Sequence, residues 1–283
     1  MSLTSDDFQF LSTLVRRESA IVLEPGKEFL CETRLTRLAR ELELPSMAEL
    51  LARLRKQPAG ELLRAVVDSM TTNETSWLRD VQPFDALRQH VLPALAKRGG
   101  QITIWSAAAS TGQEAYSMAM TILEHHPALA PLVRIVGTDL SREAISKAKA
   151  GRYTQFEVNR GLPAVMLVKH FEQQGGDWVL KPHVRRMVTF TEMNLISTWT
   201  AVPAQVDVVF LRNVLIYFDL ETKRSILAGV RRVLRSDGVL FVGSGESLQG
   251  VDDRYERVTL GRTVAWRSTS TRGPQPNLGA NYV

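Results

Sequence analysis

Cysteine is almost missing from this chain: Cys31 is the only one in 283 residues. A disulfide within the chain is therefore excluded, as is a zinc site built on several thiolates, and a reducing cytoplasm is the expected compartment. No apolar run approaches the ~18 residues that a membrane-crossing helix needs, so no direct membrane insertion is expected. Met1-Ser2-Leu3-Thr4-Ser5-Asp6-Asp7 has neither a basic stretch nor an apolar core and does not read as a signal peptide. His90, His125, His126, His170 and His183 show no metal-ligand spacing, and no metal is expected. A Gly-x-Gly-x-x-Gly fingerprint is missing too, which counts against a dinucleotide. Neither sign of charge dominates. Residues 1–85 carry 11 Lys/Arg against 14 Asp/Glu, and residues 86–283 carry 24 against 16. That mild basic excess permits an acidic partner and does not demand nucleic acid.

What is present divides at Gly99-Gly100. Residues 5–98 read as helical. Thr4 or Ser5 can cap a first helix whose stripe is Phe8, Leu11, Leu14 and Val15. From Arg34 to Leu44, Leu35, Leu38, Ala39 and Leu42 share one face, with Arg34, Arg37 and Arg40 on the other. That stripe is either a solvated face or a docking surface. Pro45-Ser46 ends the helix, and Ser46 caps the next, where Leu50, Leu51 and Leu54 repeat the pattern. After the glycines the period changes. Strands are expected at 101–106, 133–138, 187–191, 206–211 and 238–243, and helices at 113–125, 141–150 and 220–235. That alternation implies parallel βαβ units. Residues 255–266 read as two strands around a Gly turn, which makes the sheet mixed. The stretch 151–186 breaks the rhythm and reads as an insertion, and 268–283 as a disordered tail. The expected domains are thus 1–85, helical with a linker, and 86–267, α/β.

One run is a candidate ligand floor. Ile102-Thr103-Ile104-Trp105-Ser106-Ala107-Ala108-Ala109-Ser110-Thr111-Gly112-Gln113-Glu114 reads as a strand, a turn of very small residues, and a helix. A ligand reaches backbone only where side chains are small. The next strand ends in Asp139, roughly 25 residues beyond the turn, where a ribose needs an acceptor for two hydroxyls. A tight helix–strand crossing and a helix cap are the plain alternatives. Thr71-Thr72-Asn73-Glu74-Thr75-Ser76-Trp77-Leu78-Arg79-Asp80 is unusually polar for a linker. Arg212-Asn213-Val214-Leu215-Ile216-Tyr217-Phe218-Asp219 follows an apolar strand, at a carboxyl end where open α/β sheets bind ligands.

These segments together resemble the CheR family of chemotaxis methyltransferases, which use S-adenosylmethionine to methylate chemoreceptor glutamates. The match runs in order over about residues 5–267. It takes in the Thr71–Thr75 segment with Arg79, the loop 106–114, Gly137-Thr138-Asp139-Leu140-Ser141, Asn194-Leu195 and 212–219. Gly243-Ser244-Gly245-Glu246-Ser247 is similar to a Gly-His-Ser-Glu signature of the family, with Ser244-Gly245 in place of His-Ser. Trp77-Leu78 stands where two phenylalanines are usual, Gln113 replaces a common Glu, and Ala115 a common Pro. The resemblance implies a class I methyltransferase fold, Rossmann-like with a mixed sheet, behind an all-α domain and with a small β-subdomain at 151–186. It implies that Asn73, Thr75, Arg79, Ala107, Glu114, Asp139, Asn194, Leu195, Arg212 and Asn213 hold the cofactor. Tyr217 would lie beside the transferring methyl, and Arg79 would also orient the incoming carboxylate. Arg34, Arg37 and Arg40 would face the receptor. The short loop 172–178 implies independence of a receptor C-terminal pentapeptide.

Two alternatives are a catalytically silent receptor-binding module and a methyltransferase of another substrate. Adenine amino methylation favours Asp/Asn-Pro-Pro-Tyr after the fourth strand, where Arg212-Asn213-Val214-Leu215 has no proline. Cytosine C5 chemistry needs a cysteine in the α/β domain, and Cys31 lies outside it.

Overall fold

The computed structural model describes residues 3–269. Helix α1 (Ser5–Ser19) starts at Thr4, whose hydroxyl accepts the Asp7 N–H at 3.1 Å. Asp6 and Asp7 in its first turn and Arg16 and Arg17 in its last complement the helix dipole. Helices α2 (Glu28–Glu41), α3 (Met47–Lys56) and α4 (Gly60–Met70) follow. Ser46 caps α3 through the Glu49 N–H. Leu11, Val15, Cys31, Leu35, Leu50, Leu54 and Val66 close one apolar core. Helix α2 begins a turn and a half ahead of the expected stretch. Phe29 and Leu30 are exposed there, so its buried periodicity starts only at Cys31. Leu42, expected on the buried face, is the C-cap and is 41% exposed.

Helix α5 (Gln82–Ala86), a π turn (Leu87–Val91) and α6 (Leu92–Arg98) run on into strand β1 (Ile102–Ala107). Trp77, Phe84, Leu87 and Leu92 already belong to the core under the sheet. The change from one core to the other therefore falls between Met70 and Trp77, inside the polar linker. Helix α7 (Gln113–His125), strand β2 (Val133–Asp139) and helix α8 (Arg142–Ala150) complete the first crossover.

The insertion holds β3 (Arg152–Thr154), α9 (Gln155–Val158), α10 (Ala164–His170), β4 (Phe171–Gln174), β5 (Asp177–Leu180) and α11 (Pro182–Arg185). Its strands form an antiparallel sheet in the order β3-β5-β4, with Gly175-Gly176 alone joining β4 to β5. Trp77 fastens it down. The indole N–H donates to the Glu157 carbonyl at 3.1 Å, and the ring meets Tyr153 edge-on at 4.9 Å. A phenylalanine there would lack that donor.

The main sheet continues with β6 (Val188–Glu192), β7 (Val206–Leu211), helix α12 (Leu220–Val233), β8 (Leu234–Val242), β9 (Tyr255–Leu260) and β10 (Thr263–Ser268). Its order is β6-β2-β1-β7-β8-β10-β9, parallel from β6 to β8 and antiparallel beyond. Strand β8 starts earlier than expected. Leu234 pairs with Val206, a register shift follows, and Val239 pairs with Val208. Chain order reverses at β1, between β2 and β7, so the crevice beyond its carboxyl end is the place for a ligand. The expected tail is corrected at its start: Ser268 closes β10, and the Thr269 N–H donates to the Arg254 carbonyl at 2.9 Å. The rest of that tail lies outside the described residues.

Candidate functional site

Three carboxyl strand ends build the site. Beyond β1, Ala108 and Ser110 take left-handed backbone, φ 56° and 50°, and Gly112 stands at φ 95°. Side chains larger than alanine or serine would crowd this tight path. At Gly112 a Cβ would already come within 3.0 Å of Ala148 Cβ and 3.1 Å of the Phe190 ring. Asp139 ends β2 against this loop. Its Oδ2 accepts the Ser110 N–H at 2.7 Å and its Oδ1 the Ser141 N–H at 2.9 Å. Burial pushes the Asp139 carboxyl up, while those N–H groups oppose the rise. The cap of α8 is Ser141, which accepts the Ala144 N–H. Asp139 is thus free of the capping role. The linker closes on the same loop: Ser110 Oγ donates to the Asn73 carbonyl at 2.8 Å, and Asn73 Nδ2 donates to Ser141 Oγ at 3.2 Å.

Arg212, beyond β7, is the electrostatic centre. It is buried. Its Nη1 donates to Glu114 Oε2 at 2.9 Å, and its Nη2 to Asp80 Oδ2 at 2.7 Å and the Arg79 carbonyl at 2.8 Å. Leu78 and Asp80 are left-handed, φ 47° and 60°, and that turn delivers both acceptors. Ser106 Oγ donates to the other Glu114 oxygen at 2.7 Å. Burial raises the Glu114 carboxyl, opposed chiefly by the Arg212 charge. Arg212 Nε remains a buried donor with no hydrogen-bond partner.

The roof comes from the far end of the chain. The Val22 N–H donates to the Tyr217 carbonyl at 2.9 Å, and Asn194 Nδ2 to the Glu18 carbonyl at 2.8 Å. Arg16 pairs with Asp219 at 2.7 Å. Together these parts enclose a cleft.

Asn73, Thr75, Arg79, Glu114, Asp139, Asn194, Leu195, Arg212, Asn213 and Tyr217 all line that cleft. Ala107 does not. It is the last residue of β1, buried in register with Thr138 and Leu211, and Ala108 and Ala109 present the surface instead. The arginine stripe also divides. Arg34 turns inward, donating to the Met70 carbonyl at 2.8 Å and Thr72 Oγ1 at 3.2 Å. Arg37 and Arg40 are exposed, Arg37 pairing with Glu41 at 2.7 Å. Sequence reasoning missed Ser19 and Ile21 on the cleft wall and Asp80 behind it. Nothing local marks Ser19 or Ile21, which lie at and just beyond the end of α1, far along the chain from the linker.

An open α/β sheet with a small-residue loop and an acidic strand end at its switch point defines a site for a nucleoside-bearing cofactor, and the family match makes this a class I S-adenosylmethionine-dependent methyltransferase. The family description "CheR methyltransferase, SAM binding domain" matches residues 73–264, and "CheR methyltransferase, all-alpha domain" matches residues 6–71. The chain belongs to the CheR methyltransferase family. It is 40% identical over 275 residues to chemotaxis protein methyltransferase 1 of Pseudomonas aeruginosa, covering 95% of this chain and 100% of that one. The chemotaxis protein methyltransferase Cher2 of Pseudomonas putida is 37% identical over the same coverage. That of Vibrio anguillarum is 38% identical over 94% of this chain and 98% of its own.

Proposed function

We propose that this methyltransferase esterifies glutamate side chains on the cytoplasmic helical region of chemoreceptors, in chemotaxis-type sensory adaptation. One observation carries the substrate class. The two carboxylates buried at the cleft floor are already committed, Glu114 to Arg212 and Ser106, Asp139 to Ser110 and Ser141. Glu114 is held in its ion pair and Asp139 is given to the ribose, so neither is assigned as a base. A glutamate acceptor needs no base, because its unperturbed pKa is ~4.3 and it is ionised at neutral pH. A hydroxyl or amide acceptor would need one.

When bound, S-adenosylmethionine would supply an electrophilic methyl on a positive sulfonium sulfur, and its transfer to a carboxylate oxygen would leave the bonding pair on sulfur and need no proton to move. This chain's residues bind and align. Asp139 keeps lone pairs for two ribose hydroxyls. The orphan Arg212 Nε is a donor suited to a bound carboxylate. Arg79 and Tyr217 both line the cleft, Arg79 to orient the incoming carboxylate and Tyr217 to lie beside the transferring methyl. Both charges fade as the methyl moves, so a dry, aligned site is worth more than an acid–base pair. Among the described residues no helix is long and apolar enough to cross a membrane.

Arg37 and Arg40 face outward and suit an acidic receptor helix. The β-subdomain turn is only Gly175-Gly176, which offers little wall for anchoring a peptide's aromatic side chains, so the receptor is recognised at its methylation region without a C-terminal tether. Peptide mapping of a purified receptor domain after reaction tests the acceptor: methyl esters on glutamates support it, and methylation confined to other side chains overturns it. Full activity on a tail-less receptor, with no heat on titrating its C-terminal pentapeptide, supports the tether-free reading. Saturable micromolar binding of that peptide overturns it.

A further inference from the structure

Glu246 lies outside the cleft, yet its carboxylate gathers three backbone N–H groups from the segments that shape it. Oε2 accepts from Asn213 at 2.7 Å and from Gly243 at 2.6 Å, and Oε1 accepts from Ile216 at 3.3 Å. We propose that Glu246 is a positioning residue for methyl transfer, setting the Asn213–Tyr217 loop that lines the cofactor cleft. The proposal uses the assignment of Asn213 and Tyr217 to the site made above.

Three further observations support it. Asn213 is left-handed at φ 57°, a conformation that asparagine adopts more readily than most L residues, and the Glu246 oxygen on its N–H fixes it there. Gly243 is the residue that makes room. A Cβ there would sit 2.6 Å from Asn213 Nδ2 and 2.8 Å from Glu246 Oε2. Finally, strands β7 and β8 are neighbours with parallel ends, so a turn at 243–246 reaches the loop after β7 directly. The same geometry explains the departure at Ser244-Gly245. Ser244 is exposed, and a Cβ at Gly245 meets nothing within 4 Å. The two signature positions that the contacts require, Gly243 and Glu246, are the two that this chain retains.

Calorimetric titration with S-adenosylhomocysteine, beside steady-state kinetics on the full chain, tests this. Glu246→Ala should raise the dissociation constant at least tenfold and lower kcat, with the KM for the protein acceptor unchanged. Glu246→Gln keeps one acceptor oxygen for Asn213 and Gly243 but sets an amide against Ile216, so it should fall between wild type and alanine. Gly245→Ser should match wild type. Asp252→Asn is the structural control. Asp252 holds Arg231 and Arg254 away from the cleft, so this variant should lower Tm and leave product affinity alone. A wild type that fails to bind S-adenosylhomocysteine would overturn the cleft assignment itself, and this proposal with it. Wild type binding with Glu246→Ala equal to it in affinity and kcat would overturn the positioning role alone. So would Glu246→Gln no better than alanine.

Discussion

Both Asp139 oxygens are engaged by backbone N–H groups before any ligand arrives, so the carboxylate is pre-aimed and loses little freedom on binding. Asp139→Ala should weaken S-adenosylhomocysteine binding by ~1.5–3 kcal/mol, roughly ten- to a hundredfold, the usual cost of removing a charged acceptor. Calorimetry on the folded variant checks this, and unchanged affinity removes the ribose assignment. Arg79 lines the cleft while its carbonyl takes an Arg212 N–H, so side chain and backbone have separate work. Arg79→Ala should cut methyl transfer strongly with an unaltered circular dichroism spectrum. Arg79→Lys should rescue poorly because it lacks the planar fork. Near wild-type turnover in either variant would refute that role. Residues at strand ends were legible in the sequence, since Asp139 and Arg212 each follow an apolar run. Ala107 shows the limit. A loop of like residues does not reveal which alanine is the last in register with Thr138 and which is the first to leave the sheet.

Helix α2 places Arg37 and Arg40 outward and Arg34 inward, onto the Met70 carbonyl. The stripe therefore divides into one inward arginine and two exposed ones. Arg37→Glu with Arg40→Glu should raise the apparent KM for receptor, more at low salt, with cofactor affinity untouched, because exposed ion pairs are weak and screened. A salt profile identical to wild type would make this a solvated face. Arg34→Glu should instead lower Tm, since it breaks the seam between α2 and the linker. At this scale the sequence was read well wherever burial is periodic. It was read badly where an element's first turn is exposed, as at Phe29-Leu30. It also failed where tertiary register decides, as in β8 after the shift at Val206/Val208.

The described residues hold three apolar clusters, one in the helical part and one on each face of the main sheet, and the polar linker between helical part and sheet forms part of the cleft. Trp77 enters the sheet core and grips the insertion, while Asn73 bonds to the β1 loop and α8. The roof joins residues near the start of the chain to Asn194, Tyr217 and Asp219. Periodicity carries no information on such distant pairs, so Ser19 and Ile21 could be found only in three dimensions. By contrast the order of strand, small loop, acidic strand end and polar strand end lies along the chain, and it points to the fold and to a ribose-bearing cofactor, which the family resemblance makes S-adenosylmethionine.

The central claim is that the cleft makes a carboxylate ester on a receptor glutamate. The direct measurement is transfer of label from methyl-labelled S-adenosylmethionine to a purified receptor cytoplasmic domain, followed by mild base. The account predicts label on the receptor that base releases as methanol, and little label with Asp139→Ala. Label that survives base, or none transferred to any chemoreceptor by a wild-type protein that binds the cofactor, would contradict it.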